Sequence, residues 1–410
     1  MSSLFLRVAA LAAAMLPVLA TAVPLTLEQA LERAQQRSEA LRSARAGATS
    51  ATESARAAGQ LPDPMLGVSI ENLPVTGPDR FSTTRESMTM KRIALAQEWV
   101  SPEKRRLRTA AAQAAAAREG AAVGAAAADA RLQTALAFID AYYAAEVLKL
   151  SSANEDHARE AGLTARARLS SGNTSAQDAL GLSSAQGLAA DEAAEARQQV
   201  ASASVVLNRW TGVAADELAP PRLPGSRAEQ AFVDAHPLVV ARRREVAAAT
   251  GEAAAIAANR SPNWTWEVAY GQRSGYSDLL TVGVTIPLAI APQARQDRET
   301  AAKLALAEKA EAELAEATRA AQAEYRTLAG DAQRVQERIR SYEAGVLAPA
   351  AQRTAAAHAA LAANQASVPM VFDARHAELE ARRKLVLLQR ELARIRAQLA
   401  FRPLNPEELQ

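Results

Sequence analysis

The sequence has no cysteine in its 410 residues. That excludes disulfides, cysteine-based zinc sites, thiol catalysis and lipid attachment at an N-terminal cysteine. Aromatic residues are scarce, at 4% of the chain. With so little bulky material a thick globular core is excluded, and thin, closely packed helices fit better than a doubly wound sheet. An excess of one charge is also missing. The net charge is +2, with both signs scattered as on solvated helix faces. No basic block stands out, so no nucleic-acid partner is expected. Long apolar runs are absent after the N-terminus, which leaves no sequence for a transmembrane helix. Catalytic signatures are missing as well: there is no Gly-rich phosphate loop, no Gly-x-Ser-x-Gly elbow and no His-Glu-x-x-His helix. Neither catalytic residues, nor a cofactor, nor a resident metal is expected.

What the chain does contain begins with residues 1–22. Arg7 precedes an apolar stretch over 8–19, and Ala20-Thr21-Ala22 has the small-x-small form of a signal-peptidase site. The expectation is a cleaved signal and a mature chain from Val23; an uncleaved anchor is the alternative. Such a chain is either soluble or enters an outer membrane as strands.

Alanine, the best helix former, fills stretches such as 109–130. Helix is predicted over 27–60, 102–169, 175–210, 228–259, 292–363 (interrupted at Pro349) and from about 368 to 401. The two long segments would each extend on the order of 100 Å at helical rise. Gly172-Asn173 and residues 364–367 read as turns.

Two Pro-punctuated regions, 62–100 and 262–287, break this texture, and each offers two strand-like runs. Trp264, Trp266, Val268 and Tyr270 alternate with Asn263, Thr265, Glu267 and Ala269. Leu280, Val282, Val284 and Ile286 alternate with Thr281, Gly283 and Thr285, and Leu66, Val68 and Ile70 with Gly67, Ser69 and Glu71. The run over 88–99 is less regular, since Ile93 and Leu95 share a face with Lys91 and Gln97. One apolar and one polar face in short runs match outer-membrane strands. Trp99, Trp264, Trp266 and Tyr270 are candidate membrane-interface aromatics. Two hairpins of a soluble sheet would give the same alternation.

The order helix, two strands, long helix, turn, helix occurs twice. Glu39 and Pro64 are 25 positions apart, as are Pro237 and Pro262, and this spacing superposes Leu66 on Trp264, Val68 on Trp266 and Ile70 on Val268. A period of roughly 195 residues is too long for a solenoid unit. It predicts two pseudo-equivalent halves, residues 23–222 with strands near 65–72 and 88–99, and residues 223–402 with strands near 263–271 and 279–287. A tail over 403–410 follows. Four strands cannot close a barrel, and an open edge in lipid leaves backbone groups unpaired. Several copies must then share one barrel. Two would give eight strands and three would give twelve.

This arrangement resembles the TolC-type outer-membrane efflux channel family over about residues 25–402. The sharpest local match is Gly172-Asn173-Thr174-Ser175-Ala176-Gln177-Asp178-Ala179, which fits the family's Gly, five residues, then Asp. The second copy, from Asn364 through Asp373-Ala374, keeps the spacing, but Asn replaces Gly and Met370 stands where the family often has its first Asp. The resemblance implies a mainly α fold with a membrane β-barrel, a homotrimer with a twelve-strand barrel on a twelve-helix tunnel, and a location in the outer membrane with a long periplasmic extension. It implies outer-membrane lipid, a periplasmic adaptor and an inner-membrane pump of the RND type as partners, with adaptor contact at the tip turns Gly172, Asn173, Asn364 and Gln365. The stretch from Asn72 to Pro78 and Met88-Thr89-Met90 also resemble the heavy-metal (CzcC-like) branch, against export of drugs or other small molecules.

Asp373, Asp178 and Met370 are the candidate periplasmic constriction. Carboxylates repeated by threefold symmetry form rings that attract cations. On ordinary grounds, Asp178 is a carboxylate favoured near a helix start. Met88 and Met90, two apart, share a strand face and offer thioethers suited to Cu(I) or, more simply, apolar filling. His157, His236, His358 and His376 lack ligand spacing and read as solvated helix histidines. A periplasmic adaptor or a coiled-coil scaffold are the rival functions. The first would need flanking β-rich domains around a single hairpin, and the second has no use for Trp-rich strand pairs.

Overall fold

A computed structural model describes residues 24–408, except Asn173, Asp216 and Asn364. The expected signal segment lies outside the described residues. In chain order the elements are α1 (Leu27–Arg37), α2 (Glu39–Ala57), β1 (Met65–Glu71), β2 (Met90–Trp99), α3 (Pro102–Ser170) and α4 (Ala176–Thr211). They continue with α5 (Glu229–Asp234), α6 (Pro237–Ala257), β3 (Trp264–Arg273), β4 (Leu279–Thr285), α7 (Gln296–Tyr342), α8 (Ala348–Ala362) and α9 (Val368–Phe401). The fold is mainly helical with one small antiparallel sheet. No helix among the described residues is long and apolar enough to cross a membrane.

Local chemistry explains where helices start and stop. Thr26 accepts from the Gln29 amide at 3.3 Å, and the Gln29 side chain accepts from the Thr26 amide at 3.1 Å, closing a capping box on α1. The helix expected over 27–60 is two helices, because Ser38 turns to ψ 106° and leaves the α region. The helix expected over 228–259 is also split. His236, placed before Pro237, is held at ψ 127°, and Pro237 opens α6, where its missing N–H costs nothing. Pro349 has a different effect inside the α7–α8 run. The chain inserts a π turn over Glu343–Leu347, with the Ala348 amide bonded to the Glu343 carbonyl five residues back. Gly212 ends α4 at φ 71°, a left-handed conformation that favours glycine, and the Arg37 side chain of α1 lies over it.

Two compact units form, and each draws on both ends of the sequence. One comprises the described residues up to Ser38, Ala130–Gly225 and Gly330–Gln398. Its interior is alanine-rich: Ala158, Ala161 and Ala165 of α3 pack on Ala179, Leu182 and Ala189 of α4, with Phe372 of α9 inserted among them. Ala357 of α8 packs on Val371 and Ala374 of α9. Leu388 and Leu392 of α9 pack on Val335 and Ile339 of α7.

The other unit comprises Glu39–Asp129, Ser226–Ala329 and the chain from Leu399. It holds the sheet, in order β1-β2-β3-β4, with every pairing antiparallel. The fully buried Leu404 seals it against Ala121, Ala128 and Val240. The Leu404 amide donates to the Ala235 carbonyl at 2.8 Å, and Arg227 donates to the Leu404 carbonyl at 2.8 Å. Beside this lock His236 is 8% exposed, which corrects the expectation of a solvated histidine. Its Nδ1 accepts from the Leu238 amide at 3.3 Å and caps α6, so the proton sits on Nε2 and is donated to Glu324 at 3.3 Å. Arg402 donates to the same carboxylate at 3.0 Å. The His236 bond above all, assisted by Arg402, holds the Glu324 carboxyl below its ordinary range against the opposing effect of burial.

Candidate functional site

The register of the sheet decides which residues share a face. Leu66, Val68 and Ile70 of β1 stand opposite Leu95, Ile93 and Lys91 of β2. Ile93, Leu95, Gln97 and Trp99 in turn face Tyr270, Val268, Trp266 and Trp264 of β3. Tyr270, Val268 and Trp266 face Leu280, Val282 and Val284 of β4. Strand side chains alternate, so these residues line one face, and most of its large apolar members are exposed. The candidate aromatics Trp99, Trp264, Trp266 and Tyr270 all belong to it. Trp99 and Trp264 meet with ring centroids 5.9 Å apart at one end of the sheet.

The opposite face carries small and polar residues: Gly67, Ser69 and Glu71, then Arg92, Ala94 and Ala96, then Thr265, Glu267 and Ala269, then Thr281 and Gly283. Arg92 bridges Glu71 at 3.4 Å and Glu267 across the sheet. Sequence reading missed this ion triple. Its signal was present, since Arg92 falls out of phase with Lys91, Ile93 and Leu95. The Met pair is corrected. Met88 precedes β2, because Asn72 and Thr89 pin the loop (Asn72 Nδ2 to the Met88 carbonyl, 3.2 Å; Thr89 Oγ1 to the Asn72 carbonyl, 2.9 Å), so only Met90 is in the strand. Among the described residues no group of three or more His, Asp or Glu side chains is placed to hold a metal.

The other candidate residues lie in the helical unit. Gly172 takes φ 73° just past α3, with its amide on the Leu169 carbonyl at 3.1 Å. Ser175 caps α4 by accepting from the Asp178 amide at 3.0 Å, which puts Asp178 in the first turn with its side chain exposed. There the helix N-terminus favours a carboxylate. The Gln365 amide reaches back to the Ala360 carbonyl at 2.8 Å past the end of α8. Asn173 and Asn364 lie outside the described residues. On α9, Met370 and Asp373 are exposed and three positions apart, hence on one stripe, while Val371, Phe372 and Ala374 between and beside them are buried. The structure therefore brings Met370 and Asp373 together on a face turned away from the packed alanines.

Behind that face lies an arrangement absent from the sequence reading. The Phe372 ring is stacked between two imidazoles, His157 at 5.8 Å with planes 17° apart and His376 at 5.9 Å with planes 8° apart. Asn154, buried, donates to Glu192 at 3.4 Å, so its Oδ1 is free to accept from His376 Nδ1 at 3.3 Å. His157 Nε2 is buried with no hydrogen-bond partner among the described residues. The i, i+4 spacing of Phe372 and His376 was legible, but the third ring comes from another helix. Only His358 is exposed as expected. Burial first, then Arg375 and His358, hold the His157 imidazole below its ordinary 6.5, with Glu160 opposing. A depressed folded value means the unfolded chain binds the proton more readily. The contribution of His157 is therefore present above pH 6.5 and lost as pH falls through the lower folded value. Amide hydrogen exchange over residues 368–376 is expected to speed up relative to the rest of α9 between pH 7 and pH 5, after correction for intrinsic exchange. In His157→Gln that extra acceleration should vanish.

Together these features define a class: a mainly α chain whose four-strand sheet presents one largely apolar face and, among the described residues, two unpaired edges, the TolC-like channel fold. Solved structures of outer-membrane proteins and channels share it. The outer membrane protein VceC of Vibrio cholerae matches with a TM-score of 0.75 at 19% identity, over 92% of this chain and 96% of that one. CusC, whose structures follow folding and transmembrane channel formation, matches with a TM-score of 0.76 at 15% identity, over 92% of both chains. The MtrE outer membrane channel of Neisseria gonorrhoeae, captured in its open state, matches with a TM-score of 0.68 at 17% identity, over 92% of this chain and 88% of that one. The sequence matches no protein-family model and no curated protein sequence. At these identities the likeness is one of fold.

Proposed function

We propose that this chain is the outer-membrane channel of a tripartite efflux system, a passive duct rather than an enzyme. One observation carries the reading: among the described residues, a four-strand sheet with an exposed apolar face leaves β1 and β4 without partners on their outer edges. In lipid those edges must be paired, so copies must close a barrel together. Three copies would supply twelve strands, with the small and polar face lining the lumen. Likeness of fold to outer-membrane channels supports the outer-membrane location, and the choice of three copies rests on the family resemblance of the sequence. In this reading residues 23–222 and 223–402 are the two pseudo-equivalent halves, and the helices form a periplasmic tunnel. Its tip turns, around Gly172 and Gln365, would meet a periplasmic adaptor joined to an inner-membrane pump. Heavy-metal cations, which the resemblance of the stretch from Asn72 to Pro78 suggests, are one substrate class, and drugs or other small molecules are the other. Membrane fractionation with heat-modifiable gel mobility tests the duct. A species that migrates as a trimer until boiled is expected in the outer-membrane fraction. Recovery as a soluble monomer would sink the proposal.

In the same reading Asp373 and Asp178 form carboxylate rings at the constriction, with Met370 beside the first. Asp373→Ala should raise single-channel conductance in planar bilayers or weaken block by divalent cations. If neither changes, Asp373 has no part in the gate.

A further inference from the structure

We propose that the connector between β4 and α7 is a membrane-surface anchor, with Leu288 and Ile290 entering the lipid boundary and Arg295 and Arg298 meeting anionic headgroups. The inference rests on the channel reading above and adds a site to it. Leu288 is 80% exposed and Ile290 is 90% exposed, more than any other large apolar residue of the sheet region. Leu280, Val282, Val284 and Ile286 carry the apolar face of β4 up to this point, and the same period of two continues through Leu288 and Ile290. Position matters as well. Thr285 pairs with Thr265, so Ile286 leaves the sheet level with Trp264, at the tryptophan end where a headgroup boundary is expected. The Ile290 amide then bonds to the Leu288 carbonyl at 3.0 Å, a tight bend that turns the chain away from the strand direction.

Charge follows immediately. Arg295 is exposed and shares only Glu299, at 3.5 Å, while Arg298 is exposed with no ion-pair partner among the described residues. Asp297, on the same turn, is paired with Arg260 at 3.6 Å, so Arg298 is the cation left over beside the apolar pair, as a segment lying in the headgroup layer needs. A second copy is the competing occupant, because β4 is an edge. The segment such a copy would bring alongside, just before its β1, is Leu61-Pro62-Asp63-Pro64, whose two prolines lack the backbone N–H that would extend strand pairing past the end of β4.

The absence of native cysteine makes the test clean. Leu288→Cys and Ile290→Cys are spin-labelled in the full mature chain, reconstituted in phosphatidylethanolamine–phosphatidylglycerol vesicles. Relaxation is then measured with oxygen, which partitions into lipid, and with a nickel chelate, which stays in water. Val282→Cys serves as the lipid-facing reference and Gln177→Cys, at the exposed start of α4, as the aqueous one. Labels at 288 and 290 are expected to favour oxygen, with ratios nearer the Val282 value than the Gln177 value. Adding Arg295→Gln and Arg298→Gln should lower the ratio at 290 by about twofold or more. Preference for the nickel chelate overturns the anchor, as does protection from both agents, which would mean a second copy covers it. An unchanged ratio in the double arginine variant removes the headgroup contact. If Val282 itself reads as aqueous, the channel reading fails; if only 288 and 290 do, the anchor alone fails.

Discussion

Val282→Arg is expected to abolish the heat-modifiable oligomer and to empty the outer-membrane fraction, while Thr281→Arg, one residue away, leaves both intact. The two side chains point to opposite faces of β4, and their cross-strand partners differ accordingly. Val282 stands opposite Val268 and Thr281 opposite Ala269. An arginine at position 282 would sit among exposed Val, Ile and Leu, in the reading where that surface contacts hydrocarbon. The cost of such a residue near the bilayer midplane is about 2–4 kcal/mol per chain. In the proposed symmetric assembly that cost would repeat in every copy, and closure of a shared barrel would need all copies at once. At position 281 the arginine joins a face of small residues with Glu267 nearby, where an aqueous lumen would hydrate it. Gel mobility with and without boiling, on washed membranes, reads the difference. Equal assembly of both variants would mean that neither face touches lipid, and the proposed duct would lose its footing.

Much of this site was legible because a strand has only two faces. Trp264, Trp266, Val268 and Tyr270 declare their common surface through spacing alone, and the register of β3 against β2 then adds Ile93, Leu95 and Trp99. What the alternation could not give was where pairing stops. The 88–99 run loses its first two residues because side-chain bonds from Asn72 and Thr89 close the loop there. Helix existence was equally plain from alanine content, whereas the breaks at Ser38 and Pro237 were overlooked. Pro237 was a readable signal; Ser38 was not, since serine is tolerated inside many helices. The histidines mark the real limit. Nothing local tells that His236 caps a helix toward Glu324, or that His157 stacks on a phenylalanine 215 residues later. Such contacts belong to tertiary packing, and a lone histidine carries no period from which to infer them.

Phe372→Ala should lose about 3–5 kcal/mol of stability, the usual cost of deleting a buried phenyl ring. The high end is expected, because apart from Leu182 and Val368 the surroundings have little side chain with which to close the gap. Ala158, Ala161, Ala165, Ala179 and Ala189 have no rotamers with which to refill it, and His376 is tethered through Asn154. Phe372 is 5% exposed and is the one large ring in that cluster. Phe372→Leu keeps most of the volume but not the stacking and should cost about 1–2 kcal/mol, by analogy with imperfect hydrophobic swaps. Leu180→Ala, at a position 71% exposed, should fall within about 0.5 kcal/mol of the parent. Denaturant unfolding ranks the three. The functional consequence follows from position, since Phe372 sits between Met370 and Asp373 on the first turns of α9. Loosening it should raise hydrogen exchange over 368–376 and, in the proposed duct with its constriction at Met370 and Asp373, make the channel open more often in planar bilayers. Faster exchange with unchanged opening would keep the packing role and remove α9 from the gate. If Phe372→Ala proved as mild as Leu180→Ala, the stacked rings would not be what holds this end of the helices together.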